Sequence, residues 1–249
     1  MDSALCAKVI LVSGAAKRVG ASVARILHGA GARLVLHYRQ SSEEATALEA
    51  ELNATRADSA AAFRADLLNA TELERLVEQT TNRFGRLDAL VNNASSFYQT
   101  PIGSISEAHW LDIVGTNLRA PLFLAQAAAP HLRQNCGSIV NITDIHALRP
   151  LKRYPLYCAA KAGLVGLTRA LAVELAPEVR VNAVAPGPID WPADGSFDSA
   201  TRAEIVNHTL LKRAGTPKDV ALAVLFLLRD APYVTGQVIA IDGGRSAHL

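Results

Sequence analysis

The chain has 249 residues, half of them hydrophobic and 19% charged, with 25 Lys and Arg against 23 Asp and Glu. That apolar fraction is ample for one large core, and the charge is too sparse and too balanced for a disordered chain. A net charge of +2 gives no long-range field to draw in nucleic acid or an anionic membrane, so neither is expected as a partner. Three cysteines, Cys6, Cys136 and Cys158, are too few and too scattered for a disulfide framework or a metal cluster. They are expected to be small buried hydrophobes in a reducing compartment, and no metal is expected. The start, Met1 to Lys8, has an early acid and no long apolar stretch, unlike a signal peptide. The strongly apolar run Val220 to Leu228 is far shorter than the roughly 20 residues that span a bilayer. A soluble, cytoplasmic protein is expected.

Along the chain, short β-branched runs alternate with longer stretches of helical period. Lys8 to Ser13 reads as a buried strand and Val19 to Ala30 as a helix closed by Gly31. Leu34 to His37 is a second strand, followed by a helix from Ser42 to Asn53, with Ser42 as cap and Glu43 and Glu44 in its first turn. Ala61 to Arg64 is a third strand, Leu73 to Phe84 a helix stopped at Gly85, and Leu87 to Val91 a fourth strand. Helices follow over Glu107 to Asn117 and Leu118 to Arg133, with Pro121 tolerable only in a first turn. Ser138 to Ile142, Val179 to Val184 and Gln237 to Ile241 complete seven strands, with a long helix from Tyr157 to Leu175. Strands that are nearly all apolar and alternate with helices predict a parallel sheet covered on both faces. No repeat or linker interrupts the pattern. The expectation is one doubly wound α/β domain over 1–249.

Between the first strand and the first helix lies Ser13-Gly14-Ala15-Ala16-Lys17-Arg18-Val19-Gly20. Glycines there permit a tight turn and let backbone N–H groups and the helix N-terminus approach a pyrophosphate, as in a Rossmann fold. A site for NAD would place an acid at the end of the second strand to hold the ribose hydroxyls. This chain reads Leu36-His37-Tyr38-Arg39-Gln40-Ser41-Ser42 there, with no acid before Glu43. Arg39 and Arg18, with the Ser41 hydroxyl, can enclose an extra phosphate in charge-assisted bonds, which favours NADPH. Either arginine alone also fits a solvated surface cation. Tyr157 and Lys161 stand four residues apart, on one helix face, where an ammonium would favour the phenolate. A surface pair satisfies the same spacing.

Together the glycine turn, Asn92-Asn93-Ala94, Asn117, Tyr157-x3-Lys161 and Pro186-Gly187 resemble the short-chain dehydrogenase/reductase family, over essentially the whole chain and in the family's order. The resemblance implies that Tyr157 is the proton donor and that Lys161 binds the nicotinamide ribose and lowers the Tyr pKa. It makes Asn93 and Asn117 supports of the cofactor site and a proton relay, and Asp66 the adenine contact. It extends the cofactor contacts to Gly14, Arg18, Val19, Gly20, His37, Leu67, Ala94, Ser95, Thr143, Pro186, Gly187 and Ile189. A homotetramer is implied as well.

Three positions depart from the general family pattern. Arg18 stands where the middle glycine of the turn is usual, Ser95 follows Asn92-Asn93-Ala94 in place of a glycine, and Asp144 occupies the catalytic Ser position, 13 residues before Tyr157. All three resemble the pteridine reductase branch, as do Asn92 to Tyr98 and Leu36 to Arg39. One feature runs against it: that branch has His-Arg-Ser after the Tyr of the second strand, whereas here the charge comes one position earlier, in Arg39-Gln40-Ser41. A pterin needs a proton delivered to a ring nitrogen after hydride addition, and a carboxyl at Asp144 can pass protons where a Ser only polarises. By the resemblance, Ser95 contacts pterin edges and cofactor phosphate, Arg18 reaches both, and Phe97 gives the ring a stacking face. Phe97 is equally readable as a core or lid aromatic. Residues 188–212 are expected to form a substrate lid, in which Trp191 lines the pocket or anchors the loop. The leading expectation is an NADPH-dependent pteridine reductase acting on a dihydropterin, with oxidised pterins or folates as further substrates. The alternatives are a carbonyl reductase of the 3-oxoacyl carrier-protein type and a non-catalytic NADPH-binding regulator.

Overall fold

A computed structural model of the chain describes residues 5–191 and 197–247. Pro192, Ala193, Asp194 and Gly195 of the expected lid lie outside the described residues, as do Met1 to Ala4. Seven strands form one parallel sheet: β1 Val9–Val12, β2 Arg33–Tyr38, β3 Ala60–Arg64, β4 Ala89–Asn92, β5 Ser138–Ile142, β6 Arg180–Pro186 and β7 Val238–Ile241, in the order β3-β2-β1-β4-β5-β6-β7. The central strands are apolar and buried on both faces, as parallel strands covered by helices must be. In β1, Leu11 pairs with Val35 of β2 on one side and Leu90 of β4 on the other.

The helices are α1 Arg18–Gly29, α2 Ser42–Thr55, α3 Ala70–Phe84, α4 Glu107–Val114, α5 Ala120–Gln134, α6 Pro155–Glu174, α7 Ser199–Asn207 and α8 Pro217–Arg229. Leu27 of α1 and Val224 of α8 belong to the apolar cluster on one face of the sheet, and Leu76 of α3 and Leu124 of α5 to that on the other. Asn69 caps α3 by accepting from the Thr71 N–H, and Gly85 ends it in the left-handed region. By length and composition α6 is apolar enough to cross a membrane, yet half of its most apolar window is buried within the fold.

Several boundaries correct the sequence reading. The cap position of α2 is Ser41, not Ser42, and its side chain makes no capping bond. The two helices expected around residue 117 are one continuous path, α4 running into α5 through a π-helical segment, Gly115–Arg119. Asn117 sits in that segment rather than at a helix end. Two helices, α7 and α8, were not anticipated; α7 falls inside the expected lid. Of the cysteines only Cys158 is buried, Cys6 and Cys136 being exposed.

The last turn of α8 is secured by Arg180 at the start of β6. Its Nη1 donates to the carbonyls of Leu227 (2.8 Å), Ala231 (2.9 Å) and Val234 (3.3 Å), and its Nη2 to that of Leu228 (3.3 Å). A helix C-terminus leaves carbonyls without partners, and one guanidinium supplies them here. Burial lowers the pKa of Arg180, without bringing it near the range in which an arginine loses its charge. Arg180→Met should therefore destabilise the fold by about 2–3 kcal/mol and lower Tm by roughly 5–10 °C in calorimetry. An unchanged Tm would mean that these carbonyls find other partners.

Candidate active site

The strand order reverses between β1 and β4, so the chains leaving their carboxyl ends diverge and open a crevice. Two side chains fix its floor. Ser13 Oγ, at the end of β1, accepts from the N–H groups of Asn93 (2.9 Å) and Ala94 (3.1 Å) after β4. Asn93 Nδ2 returns two bonds, to the carbonyls of Ser13 (3.0 Å) and Gly14 (2.9 Å). The turn is close-packed against these groups. Gly14 has φ +63, and a Cβ on Gly20 would lie 2.1 Å from the Gly14 oxygen. Only glycine fits at these two places.

Above this floor lies a cavity of about 670 Å³, within the usual range for small-molecule and cofactor sites. Nearly all the residues singled out from the sequence line it, from Gly14, Arg18, Val19 and Gly20 at one end, through Asp66, Leu67, Asn93, Ala94 and Ser95, to Thr143, Asp144, Tyr157 and Lys161. Pro186, Gly187 and Ile189 after β6 form a further wall. Two do not line it: Ser41, at the cap position of α2, and Asn117, which stands behind the wall. Asn117 Nδ2 donates to Ser96 O (2.8 Å) and Ile113 O (2.9 Å), while its Oδ1 accepts from Ser95 Oγ at 2.7 Å. Its part is to hold the Ser95–Ser96 stretch in place.

At one end of the cavity the α1 N-terminus, Lys17, Arg18 and Arg39 gather positive charge. Arg39 Nη1 lies 3.9 Å from Asp112 Oδ1 of α4, a loose and half-exposed pair. Arg18, with φ +49, reaches across the mouth to Asp190, with φ +54. Its Nη2 donates to the Asp190 carbonyl at 3.2 Å, and its Nε lies 3.4 Å from Oδ2. Surface pairs of this kind are worth little and can be exchanged for another anion at small cost. Among the described residues, no group of three or more His, Cys, Asp or Glu is gathered to hold a metal ion.

The other end carries the titratable groups. Tyr157 Oη donates to Asp144 Oδ2 at 2.7 Å, and Asp144 Oδ1 accepts from the His146 N–H at 2.8 Å, capping the short 3₁₀ turn that follows β5. Lys161, one turn after Tyr157 on α6, is 2% exposed. Its Nζ donates to the Ile142 carbonyl at 2.9 Å and lies 5.6 Å from the Tyr157 ring centre. Burial raises the Tyr157 pKa well above 10, the Asp144 carboxylate adding to it and the Ser95 hydroxyl opposing. This reverses the expectation of a lowered pKa. Lys161 is aimed at a backbone carbonyl, and the nearest charge to the phenol is negative. Burial pushes Lys161 down to about 8, against the attraction of Asp144.

Phe97 stacks on Tyr154 at 4.6 Å and meets the Tyr157 ring edge-on at 4.7 Å. It packs in an apolar cluster and lines the cavity too, so both readings of it hold. Trp191 likewise lines the cavity while resting 5.7 Å from Phe197, with the Arg202 guanidinium 5.6 Å from its ring. The outer wall holds residues that no motif signalled: His146, Glu204, Ile205 and His208, and Arg245 near the chain end. His146 comes from the 3₁₀ turn after β5, and the others from α7, its end and the turn after β7, none of which carried a readable pattern.

Residues 14–246 match a family model described as "Enoyl-(Acyl carrier protein) reductase". The chain is 37% identical to pteridine reductase 1 of Leishmania tarentolae, covering 99% of each protein. It is also 37% identical to a 3-oxoacyl-[acyl-carrier-protein] reductase of Synechocystis, over 97% of this chain and 98% of that one. Among solved structures, a blue fluorescent protein from a metagenomic library, in complex with NADPH, superposes with a TM-score of 0.91 at 34% identity, over 97% of this chain and 99% of that one. With the glycine turn, the Asn93 floor and the Tyr157–Lys161 pair on one crevice, the chain belongs to the short-chain dehydrogenase/reductase family.

Proposed function

We propose that this chain is an NADPH-dependent reductase of pterin C=N bonds, acting on a dihydropterin to give the tetrahydropterin. The observation that carries the reading is the 2.7 Å bond from Tyr157 Oη to Asp144 Oδ2. A carbonyl reductase needs an O–H donor beside its tyrosine to polarise C=O, whereas a carboxylate there can only accept or relay a proton. The relative from Leishmania tarentolae, a pteridine reductase by name, supports the same reading.

The cavity's donor set fits a phosphorylated dinucleotide. The close-packed turn at Gly14 and Gly20 leaves room only for backbone, the α1 N-terminus faces the cleft, and Lys17, Arg18 and Arg39 supply cations. No acid stands at the end of β2 to claim a ribose hydroxyl. Arg39, held only loosely by Asp112, turns to the extra phosphate at little cost. When bound, NADPH supplies the hydride.

The chain's own residues supply and hold the proton. Tyr157 stays protonated throughout the neutral range, because burial and the Asp144 carboxylate hold its pKa high. It is therefore a loaded donor, aimed at a ring nitrogen placed beside Oη. Its one hydrogen, which rests on Asp144 Oδ2 at 2.7 Å, passes to that nitrogen. A proton that Asp144 takes up from solvent then returns to Oη along the same short bond, while the other carboxylate oxygen is fixed by the His146 N–H. Lys161, near pH 8 in its titration, still carries charge at neutral pH and offsets the carboxylate as the phenol gives up its proton. Phe97, edge-on to Tyr157, offers a flat ring a face beside the donor.

The Synechocystis relative, at the same 37% identity, keeps a 3-oxoacyl reductase as the second reading, and Asp144 is what separates the two. The same reading includes a homotetramer in the cytoplasm. Exposed Trp110 and Leu111 on α4, and Leu222 and Phe226 on α8, offer apolar faces to further copies, and the three thiols are unpaired.

For the cofactor, NADPH should bind at least about tenfold tighter than NADH, or about 1.4 kcal/mol, in a fluorescence titration. Arg39→Asp should erase most of that preference, and equal affinities in the unmutated protein would contradict it. For the proton, Asp144→Asn keeps shape but removes the titratable group. It should leave NADPH affinity within threefold and lower pterin turnover by roughly 10²–10⁴-fold. Near-normal turnover would make the carboxyl structural and remove the main support for the pterin assignment.

A further inference from the structure

His37 lies on β2 beneath the turn that joins β1 to α1, and is only 2% exposed. Its ring meets backbone on both sides. The Gly14 N–H donates to Nδ1 at 3.1 Å, and Nε2 lies 3.1 Å from the Ala65 carbonyl oxygen. A carbonyl can only accept, so Nε2 carries the hydrogen; an amide N–H can only donate, so Nδ1 keeps its lone pair. Those two partners admit one form of the ring, the neutral Nε2–H tautomer. The backbone carbonyl of His37 also accepts the Ala15 N–H, at 2.9 Å. One residue of the neighbouring strand thus grips two consecutive amides of the turn.

The resemblance implies that His37 is a cofactor contact, and it lines the cavity; both of its ring nitrogens are also committed inside the protein. From the β4 side the turn is held by Asn93 and blocked by Ala94, whose Cα would lie 2.9 Å from a Cβ on Gly14. On the β2 side His37 supplies the opposing hold.

We propose that His37 is a positioning residue for the dinucleotide turn, its neutral ring fixing the Ser13–Gly14 peptide and thereby the direction in which the first amides of α1 face the cleft. This rests on the dinucleotide reading of the cavity given above. Burial lowers the pKa of the ring and the Arg39 charge works with it, against the Ala65 carbonyl and the Asp66 carboxylate. The ring therefore remains neutral, and the hold intact, across the neutral range. Protonation would set a hydrogen on Nδ1 against the Gly14 N–H.

Two substitutions separate the two bonds. In His37→Asn the amide oxygen stands near the place of Nδ1 and still accepts from Gly14. In His37→Gln the amide nitrogen stands near the place of Nε2 and still donates to Ala65, but the Gly14 N–H is left without an acceptor. His37→Gln should weaken NADPH binding about tenfold and speed amide hydrogen exchange over residues 13–20 of the ligand-free protein. His37→Asn should bind NADPH at least about threefold more tightly than His37→Gln and exchange more slowly than it over residues 13–20. Tight NADPH binding by His37→Gln, or equal weakening by both variants, overturns the proposal.

A readout on the unmutated protein does not depend on either variant folding. Nitrogen-15 spectra of the labelled histidines should show His37 as the neutral Nε2–H form at neutral pH, and the opposite tautomer or the imidazolium overturns the proposal. Should the unmutated protein bind neither NADPH nor NADH, the cavity reading fails. The exchange rates then still decide whether His37 holds the turn: acceleration in His37→Gln alone supports it, and no acceleration overturns it.

Discussion

The carboxyl ends of β1 and β4 lie side by side, and the chain leaves them in opposite directions. Everything at the site depends on that divergence. It exposes backbone that the sheet would otherwise pair, and the structure uses it at once: Ser13 and Asn93 cross-link the two ends through four hydrogen bonds. The glycine turn is laid over this link so closely that side chains cannot enter at Gly14 or Gly20. β5 and α6 then bring Asp144, Tyr157 and Lys161 to the same crevice from the other side. A rigid sheet sets the distance between the two halves, and the loops only supply the chemistry.

The electrostatics at the reactive end are those of three titratable side chains close together: a buried phenol, a buried ammonium and a half-buried carboxylate. Each is costly to bury alone. The carboxylate takes the phenol's hydrogen and the His146 N–H, and the ammonium takes the Ile142 carbonyl. Burial first, and then contact with Asp144 rather than Lys161, hold Tyr157 protonated instead of pushing it toward phenolate. On the proposed reading, this leaves Tyr157 with a hydrogen to hand to the nitrogen anion that hydride addition to C=N creates.

The strands were legible because parallel strands covered on both faces read as largely apolar runs: Val9–Val12 is apolar throughout, and Ser138–Ile142 is apolar but for Ser138 and Asn141. The glycine turn and the Tyr157–Lys161 spacing were legible because backbone approach and helix periodicity constrain residue type at fixed separations. Helix α7 was not, since none of its residues is buried and no apolar stripe marks it. With α7 went the outer wall of the cavity, including Glu204 and His208. The direction of the Tyr157 shift was missed for a different reason. Spacing placed Lys161 on the right helix face but said nothing of the Ile142 carbonyl that claims its Nζ. His37 and Asn117 could be named from the sequence, yet their action through Gly14 and Ser95 depends on contacts between segments far apart in the chain.

On the proposed function, the bond between Asp144 and Tyr157 commits the site to reducing C=N rather than C=O. The direct measurement is NADPH oxidation by the unmutated protein with dihydrobiopterin and an acetoacetyl thioester in parallel, each as kcat/KM. Turnover of the dihydropterin at least about 10²-fold above that of the thioester is expected, a gap of about 2.7 kcal/mol in transition-state stabilisation. Turnover of the thioester alone, or with the greater kcat/KM, would contradict it.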